Sequence, residues 1–156
     1  MFSVLFEVHP RPGRSDDYLG FARLLRPELE RIDGFVDNVR YRSLTRPGWI
    51  LSLSGWRDEK ALVRWRTHAL HHGVQEKGRT EVFLDYHLRV GEVAHDTHPP
   101  AGHDIQVKRL DETETGAATT VTLVDVRLPT DRVNSRPPEK IGAALSLARD
   151  AAGLVA

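Results

Sequence analysis

Hydrophobic and polar residues alternate from Phe2 to Val8, with Phe2, Val4, Phe6 and Val8 on one side, which predicts a β-strand. Pro10, Pro12 and Gly13 end it. Ser15, Asp16 and Asp17 supply a helix start, because a hydroxyl or carboxylate satisfies free amides and acids suit the positive end. Tyr18, Ala22, Leu25, Leu29 and Ile32 then recur at helical spacing, with Pro27 as a kink or break within the pattern. Asp33-Gly34 closes this helix. Phe35 to Ser43 and Trp49 to Trp56 read as two strands joined by the turn Arg46-Pro47-Gly48, an antiparallel hairpin. Asp58 caps a second helix running to about Gln75, on which Leu62, Trp65, Ala69 and His72 share a face. Gly78 ends it, and Glu81 to Val93 is a long last strand.

The predicted order is strand, helix, strand, strand, helix, strand. That is the ferredoxin-like split unit, an α+β fold with two helices on one face of a four-stranded antiparallel sheet. Both sheet faces carry apolar residues, with Ile50 and Trp56 alternating against Leu51 and Leu53, so the face without helices calls for a partner, most simply a second copy.

The segment after this unit changes character. Residues 96–118 are rich in Pro, Gly, Thr and acids and read as an extended linker or arm. Residues 119–156 resemble the first strand and helix of a repeated unit. Val124-Asp125-Val126-Arg127 echoes Phe6-Glu7-Val8-His9, and Ala152-Gly153-Leu154-Val155 echoes Asp33-Gly34-Phe35-Val36. Thr120 to Leu128 can add a strand to a sheet edge, in this copy or a neighbour. The domain expectation is 1–95, linker 96–118 and half-repeat 119–156.

Composition narrows the chemistry. The 156 residues hold 22 Lys+Arg and 22 Asp+Glu, so no basic excess argues for nucleic acid and no basic amphipathic helix argues for a membrane surface. With no cysteine, disulfides, thiolate metal sites and cysteine nucleophiles are excluded. The first residues lack a basic segment followed by an apolar run, and the protein is read as cytoplasmic. No Gly-rich phosphate loop or Gly-x-Ser-x-Gly elbow is present, which leaves nucleotide cofactors and serine hydrolysis without support.

The spaced residues Trp56, Trp65, His68, His72, Gln75, Gly78 and Arg79, followed by Tyr86, Arg89 and Val93, resemble the pattern of the antibiotic biosynthesis monooxygenase family. The resemblance is to its branch of small bacterial proteins of unknown role and covers residues 1–95. It implies a dimeric α+β barrel, a homodimer in which two sheets pack face to face. It also implies a pocket between helices and sheet in each subunit, and oxidation of a hydrophobic aromatic small molecule without a nucleotide cofactor. Other members degrade haem with an Asn on the first strand and an axial His ten residues after the helix Trp. Here position 75 is Gln, and the first strand has no Asn. A haem-binding protein without degradation is the alternative reading, with His72 or His68 as ligand. A non-catalytic dimeric assembly or ligand-binding domain is the third.

His72 and Trp65 are the catalytic candidates. A neutral imidazole suits proton abstraction near pH 7, and an indole can wall a flat substrate; core packing is the alternative for both. His68, Tyr86, Phe83 and Arg79 are the substrate-binding candidates, with Arg79 either reaching an acidic substrate group or holding its turn through Asp85. His68 and His72 have metal-ligand spacing on a helix, but no third ligand is set by spacing, and no metal is expected. His71 is expected to point elsewhere, exposed. Arg40, Arg42 and Arg89 are expected to be solvated or paired on strand surfaces.

Overall fold

The computed structural model describes residues 1–103, 105 and 121–125. The elements are β1 (Phe2–Pro10), α1 (Ser15–Arg31), β2 (Phe35–Arg42), β3 (Ile50–Trp56), α2 (Glu59–Arg66), α3 (Ala69–Lys77), a π-helical turn (Gly78–Val82) and β4 (Phe83–Glu92). The four strands form one antiparallel sheet in the order β2-β3-β1-β4. This is the ferredoxin-like α+β arrangement expected from the hydrophobic pattern.

Residues directly opposite in an antiparallel pair share a face. Phe6 lies opposite Ser52 and Leu88, and Val4 opposite Ser54 and Val90. Across the hairpin, Asn38 faces Ser54 and Arg40 faces Ser52. This face receives the helices. One core cluster joins Phe2, Leu29, Trp56, Ala61 and Leu62, and a second joins Val8, Tyr18 and Val82. Truncating Trp56 or Phe2, both fully buried, removes about 3–5 kcal/mol of packing.

The loops that aim the helices are tightly determined. Gly34 has φ +92°, and a Cβ there would lie 2.6 Å from the Ala61 Cβ, so the α1–β2 turn admits only glycine. Asp33 beside it accepts two bonds from Arg57, at 2.7 and 2.9 Å, and one from Arg64 at 3.1 Å. The Arg57 bonds, with Arg64 assisting, hold the Asp33 carboxyl down at about 2. Asp58 caps α2 as expected, its Oδ1 accepting from the Ala61 N–H at 2.8 Å.

Several expectations are corrected. The second helix is not continuous to Gln75. It stops at Arg66, Thr67 bonds back through its hydroxyl to the Val63 carbonyl at 2.9 Å, and His68 turns extended with ψ 126° before α3 begins. Glu81 and Val82 belong to the π-helical turn, so β4 starts later than predicted. Arg14, not Ser15, occupies the cap position of α1, with no side-chain cap bond. Pro27 sits inside one uninterrupted helix.

The opposite sheet face carries Leu5 against Leu53, Val39 against Leu53 and Tyr41 against Leu51. At one end His9, Trp49 and His87 stack, with ring centroids 5.3 and 5.5 Å apart. Glu7 is buried there and paired with Arg89. Among the described residues no helix covers this face, and no helix is long and apolar enough to cross a membrane.

The chain divides into two compact units, Met1–Arg42 with Gly48–Glu114, and Ser43–Pro47 with Thr115–Ala156. The first holds the whole sheet. In the second, residues 43–47 form a bend in which the Arg46 N–H donates to Ser43 Oγ at 2.9 Å. Within the expected strand Thr120–Leu128, residues 121–125 are irregular and exposed rather than paired. The rest of the expected half-repeat, with residues 104 and 106–118 of the arm, lies outside the described residues.

Candidate functional site

A cleft of about 220 Å³ opens between the helices and the sheet, touching both core clusters. Its floor is the helix-side row of the sheet: Val4, Phe6, Leu88 and Val90 with the polar Asn38, Arg40, Ser52 and Ser54. Phe21 and Leu25 of α1 form one wall. Trp65 of α2 and His71, Val74 and Gln75 of α3 form the other. Phe83, Tyr86 and Arg79 close the end beside the π-helical turn. That end is shaped by Gly78, where a Cβ would lie 2.5 Å from the Phe83 ring.

Trp65 and His71 are joined in the wall by stacking and by a hydrogen bond. Their rings stack with centroids 4.2 Å apart and planes 17° apart. His71 Nδ1 lies 2.9 Å from the Trp65 carbonyl oxygen. A carbonyl only accepts, so Nδ1 carries the proton and Nε2 keeps the lone pair. Burial pulls the His71 pKa down to about 4. The bond to the Trp65 carbonyl opposes this, and His68 and His72 add to the lowering. The imidazole is therefore neutral near pH 7.

The floor contains polar groups without protein partners. Asn38 Nδ2 donates to Ser52 Oγ and to the Leu53 carbonyl, both at 2.9 Å. The Leu53 carbonyl demands a donor, which sets the amide orientation and leaves Oδ1 buried without a partner. Arg40 Nε is likewise buried and unpartnered. Each such atom costs about 1–3 kcal/mol unless a ligand or water satisfies it. Arg40, Arg66 and Arg79 all line the cleft, and no Asp or Glu does. Elsewhere Arg14, Arg26, Arg31, Arg57, Arg64 and Arg89 are ion-paired.

The structure brings together Trp65, Tyr86, Phe83 and Arg79 of the expected set. His72 is exposed on α3 and does not line the cleft, and neither does His68. The break after Arg66 resets the helical phase, so His71 takes the place the continuous helix assigned to His72. His68 instead stacks on Trp65 at 5.7 Å, with Nε2 3.8 Å from Glu28 Oε2 and Nδ1 buried without a partner. His71, Asn38 and Arg40 were missed. Asn38 and Arg40 sit two apart on a strand whose hairpin partner supplies serines, a polar stripe readable as a polar cleft floor. Arg79 forms no pair with Asp85, which instead lies 3.8 Å from His87.

Haem fits this cleft poorly. The volume falls below the roughly 300 Å³ at which drug-sized ligand pockets begin. His72 and His68, the two expected ligands, both stand outside the lining.

Residues 1–77 match the model of the family described as antibiotic biosynthesis monooxygenase. A jasmonate monooxygenase of the fungus Pyricularia oryzae is 56% identical over 133 residues, a match covering 80% of this chain and 60% of that protein. The chain thus spans about 60% of the length of this relative. A Mycobacterium tuberculosis protein has a TM-score of 0.56 at 15% identity, over 62% of this chain and 98% of its own. A solved antibiotic biosynthesis monooxygenase has a TM-score of 0.53 at 15% identity, over 61% and 100%. Both are likenesses of fold.

Proposed function

The chain belongs to the antibiotic biosynthesis monooxygenase family, and from that premise we propose that its cleft oxidises a small hydrophobic ring compound with dioxygen and no nucleotide cofactor. The observation that carries this reading is the Trp65–His71 stack, a flat wall ending in a neutral lone-pair nitrogen. A substrate ring lies against the indole. Its hydroxyl or enol donates to His71 Nε2, and the arginines bear the negative charge that develops when the proton leaves. With its pKa near 4, His71 orients that proton better than it removes it from a free phenol. For an activated methylene the balance closes without a reductant: the CH2 and O2 give C=O and water. Hydroxylating an unactivated carbon would require two further electrons from an external donor.

The relative's substrate makes jasmonate, a cyclopentanone bearing a carboxylate side chain, the first compound to try. Phenolic and anthrone-like aromatics are the second class. Incubation with heavy-isotope dioxygen, followed by mass spectrometry, tests the reading. Labelled oxygen in a product supports it. Unlabelled substrate across both classes, at saturating binding, sinks it.

The family fold also supports a homodimer. Leu5, Val39, Leu51 and Leu53 on the sheet face away from the helices form the surface a second copy would cover, closing an α+β barrel.

A further inference from the structure

We propose that the β2–β3 floor of the cleft is a carboxylate subsite, with Arg40 as the residue that selects an organic acid over its neutral ester. The inference rests on reading the cleft as the oxidation site and names the class of molecule that enters it, a small cyclic carboxylate.

Three observations converge. The cleft is lined by Arg40, Arg66 and Arg79 without one carboxylate among its lining residues, although the chain as a whole is neutral. None of the three has a side-chain hydrogen bond or ion pair in the described structure, whereas Arg14, Arg26 and Arg31 along α1 are paired. Arg40 Nε is also withdrawn from solvent with its N–H unsatisfied, on the edge strand β2, whose register is held by its pairing with β3. A guanidinium so placed meets a carboxylate oxygen through a charge-assisted bond, and the low-dielectric walls of Phe6, Trp65 and Leu88 strengthen it.

The register limits where the anion sits. Arg40 is opposite Ser52, whose hydroxyl accepts from Asn38, so the polar floor is confined to β2 and β3. The β1 and β4 floor is apolar, through Val4, Phe6, Leu88 and Val90. A ligand with one charged end and one hydrophobic ring therefore has a single matching orientation, with the ring toward Trp65 and Phe83. Asn38 Oδ1 takes a hydroxyl or water proton at the charged end. Arg66 and Arg79, both exposed, add to the positive potential without contributing a buried donor.

The test compares dissociation constants of acid and methyl ester for the full chain by isothermal titration calorimetry. The probes are jasmonate and phenylacetate with their methyl esters. Wild type should bind at least one acid about tenfold to a hundredfold more tightly than its ester. Arg40→Gln should bring that ratio to within about threefold by weakening the acid alone. Arg40→Lys keeps the charge but lacks the Nε donor, and should fall between them. It also serves if circular dichroism shows the Gln variant unfolded. A preference that survives both substitutions, equal loss for acid and ester, or no preference for any acid in wild type would overturn the proposal. Oxygen incorporation is scored separately: acid preference without turnover sinks only the oxidation, and turnover of neutral rings without acid preference sinks only the subsite.

Discussion

His71 lies face to face with Trp65, ring centroids 4.2 Å apart, while its Nδ1–H donates to the carbonyl of that same residue. One residue thus sets the plane of the imidazole, its tautomer and its position. The arrangement depends on the break between α2 and α3, because His71 reaches back six residues to the last turn before it. In the proposed function this pair is the wall against which substrate is placed.

The first prediction separates neighbouring histidines. His71→Ala should lower turnover of an oxidised substrate by about a hundredfold or more, the range seen when a positioned proton-handling group is removed. His72→Ala should stay within about twofold, since that side chain is exposed and outside the lining. Steady-state oxygen uptake checks both, and equal losses would return the role to His72 or to neither.

The second concerns acid. His71 has its folded pKa lowered from 6.5 to about 4 by burial. Between those values the unfolded chain binds a proton that the folded chain refuses. Stability is therefore full above about 6.5, falls as pH drops toward 4, and is flat below for this group. The loss is on the order of 3 kcal/mol at most. Urea unfolding of wild type and His71→Phe, which keeps a flat ring, should show that pH-dependent component only in wild type.

Third, Gly78→Ala should be destabilising by about 1–3 kcal/mol, as overpacking usually is. The added methyl meets the Phe83 ring at 2.5 Å, and the ring's escape is into the cleft. Ligand affinity should fall with stability, and Phe83→Leu in the same chain should recover both. Thermal unfolding with calorimetry on the single and double variants reads this out.

Fourth, Leu53→Arg should yield monomers if the open sheet face is where two copies meet. Leu53 lies between Leu5 and Val39 in the register, at the centre of the apolar stripe. Light scattering after gel filtration should show a dimer for wild type and a monomer of unchanged far-ultraviolet circular dichroism for the variant. A wild-type monomer would remove the barrel.

Local sequence determined the strands, the cap of α2 and the split unit, because alternation, a capping carboxylate and the Asp33-Gly34 turn act over a few residues. Phe2 to Val8 alternates and is β1; Asp58 caps α2 because its carboxylate reaches an amide three residues on. Trp65, Phe83 and Tyr86, rare side chains in this sequence, and Arg79 beside Gly78 were legible as candidates from their spacing. The phase of the second helical segment was not legible. A residue's facing turns by about 100° per position, so one extended residue at His68 exchanges the roles of His71 and His72. Nor could a linear pattern show that Asn38 and Arg40 lie beneath Trp65, since only the pairing of β2 with β3 and the packing of α2 over them bring these distant positions into one cleft. Burial then sets the chemistry: it holds His71 neutral and leaves Arg40 Nε without a partner, and both follow from what the tertiary structure excludes from water.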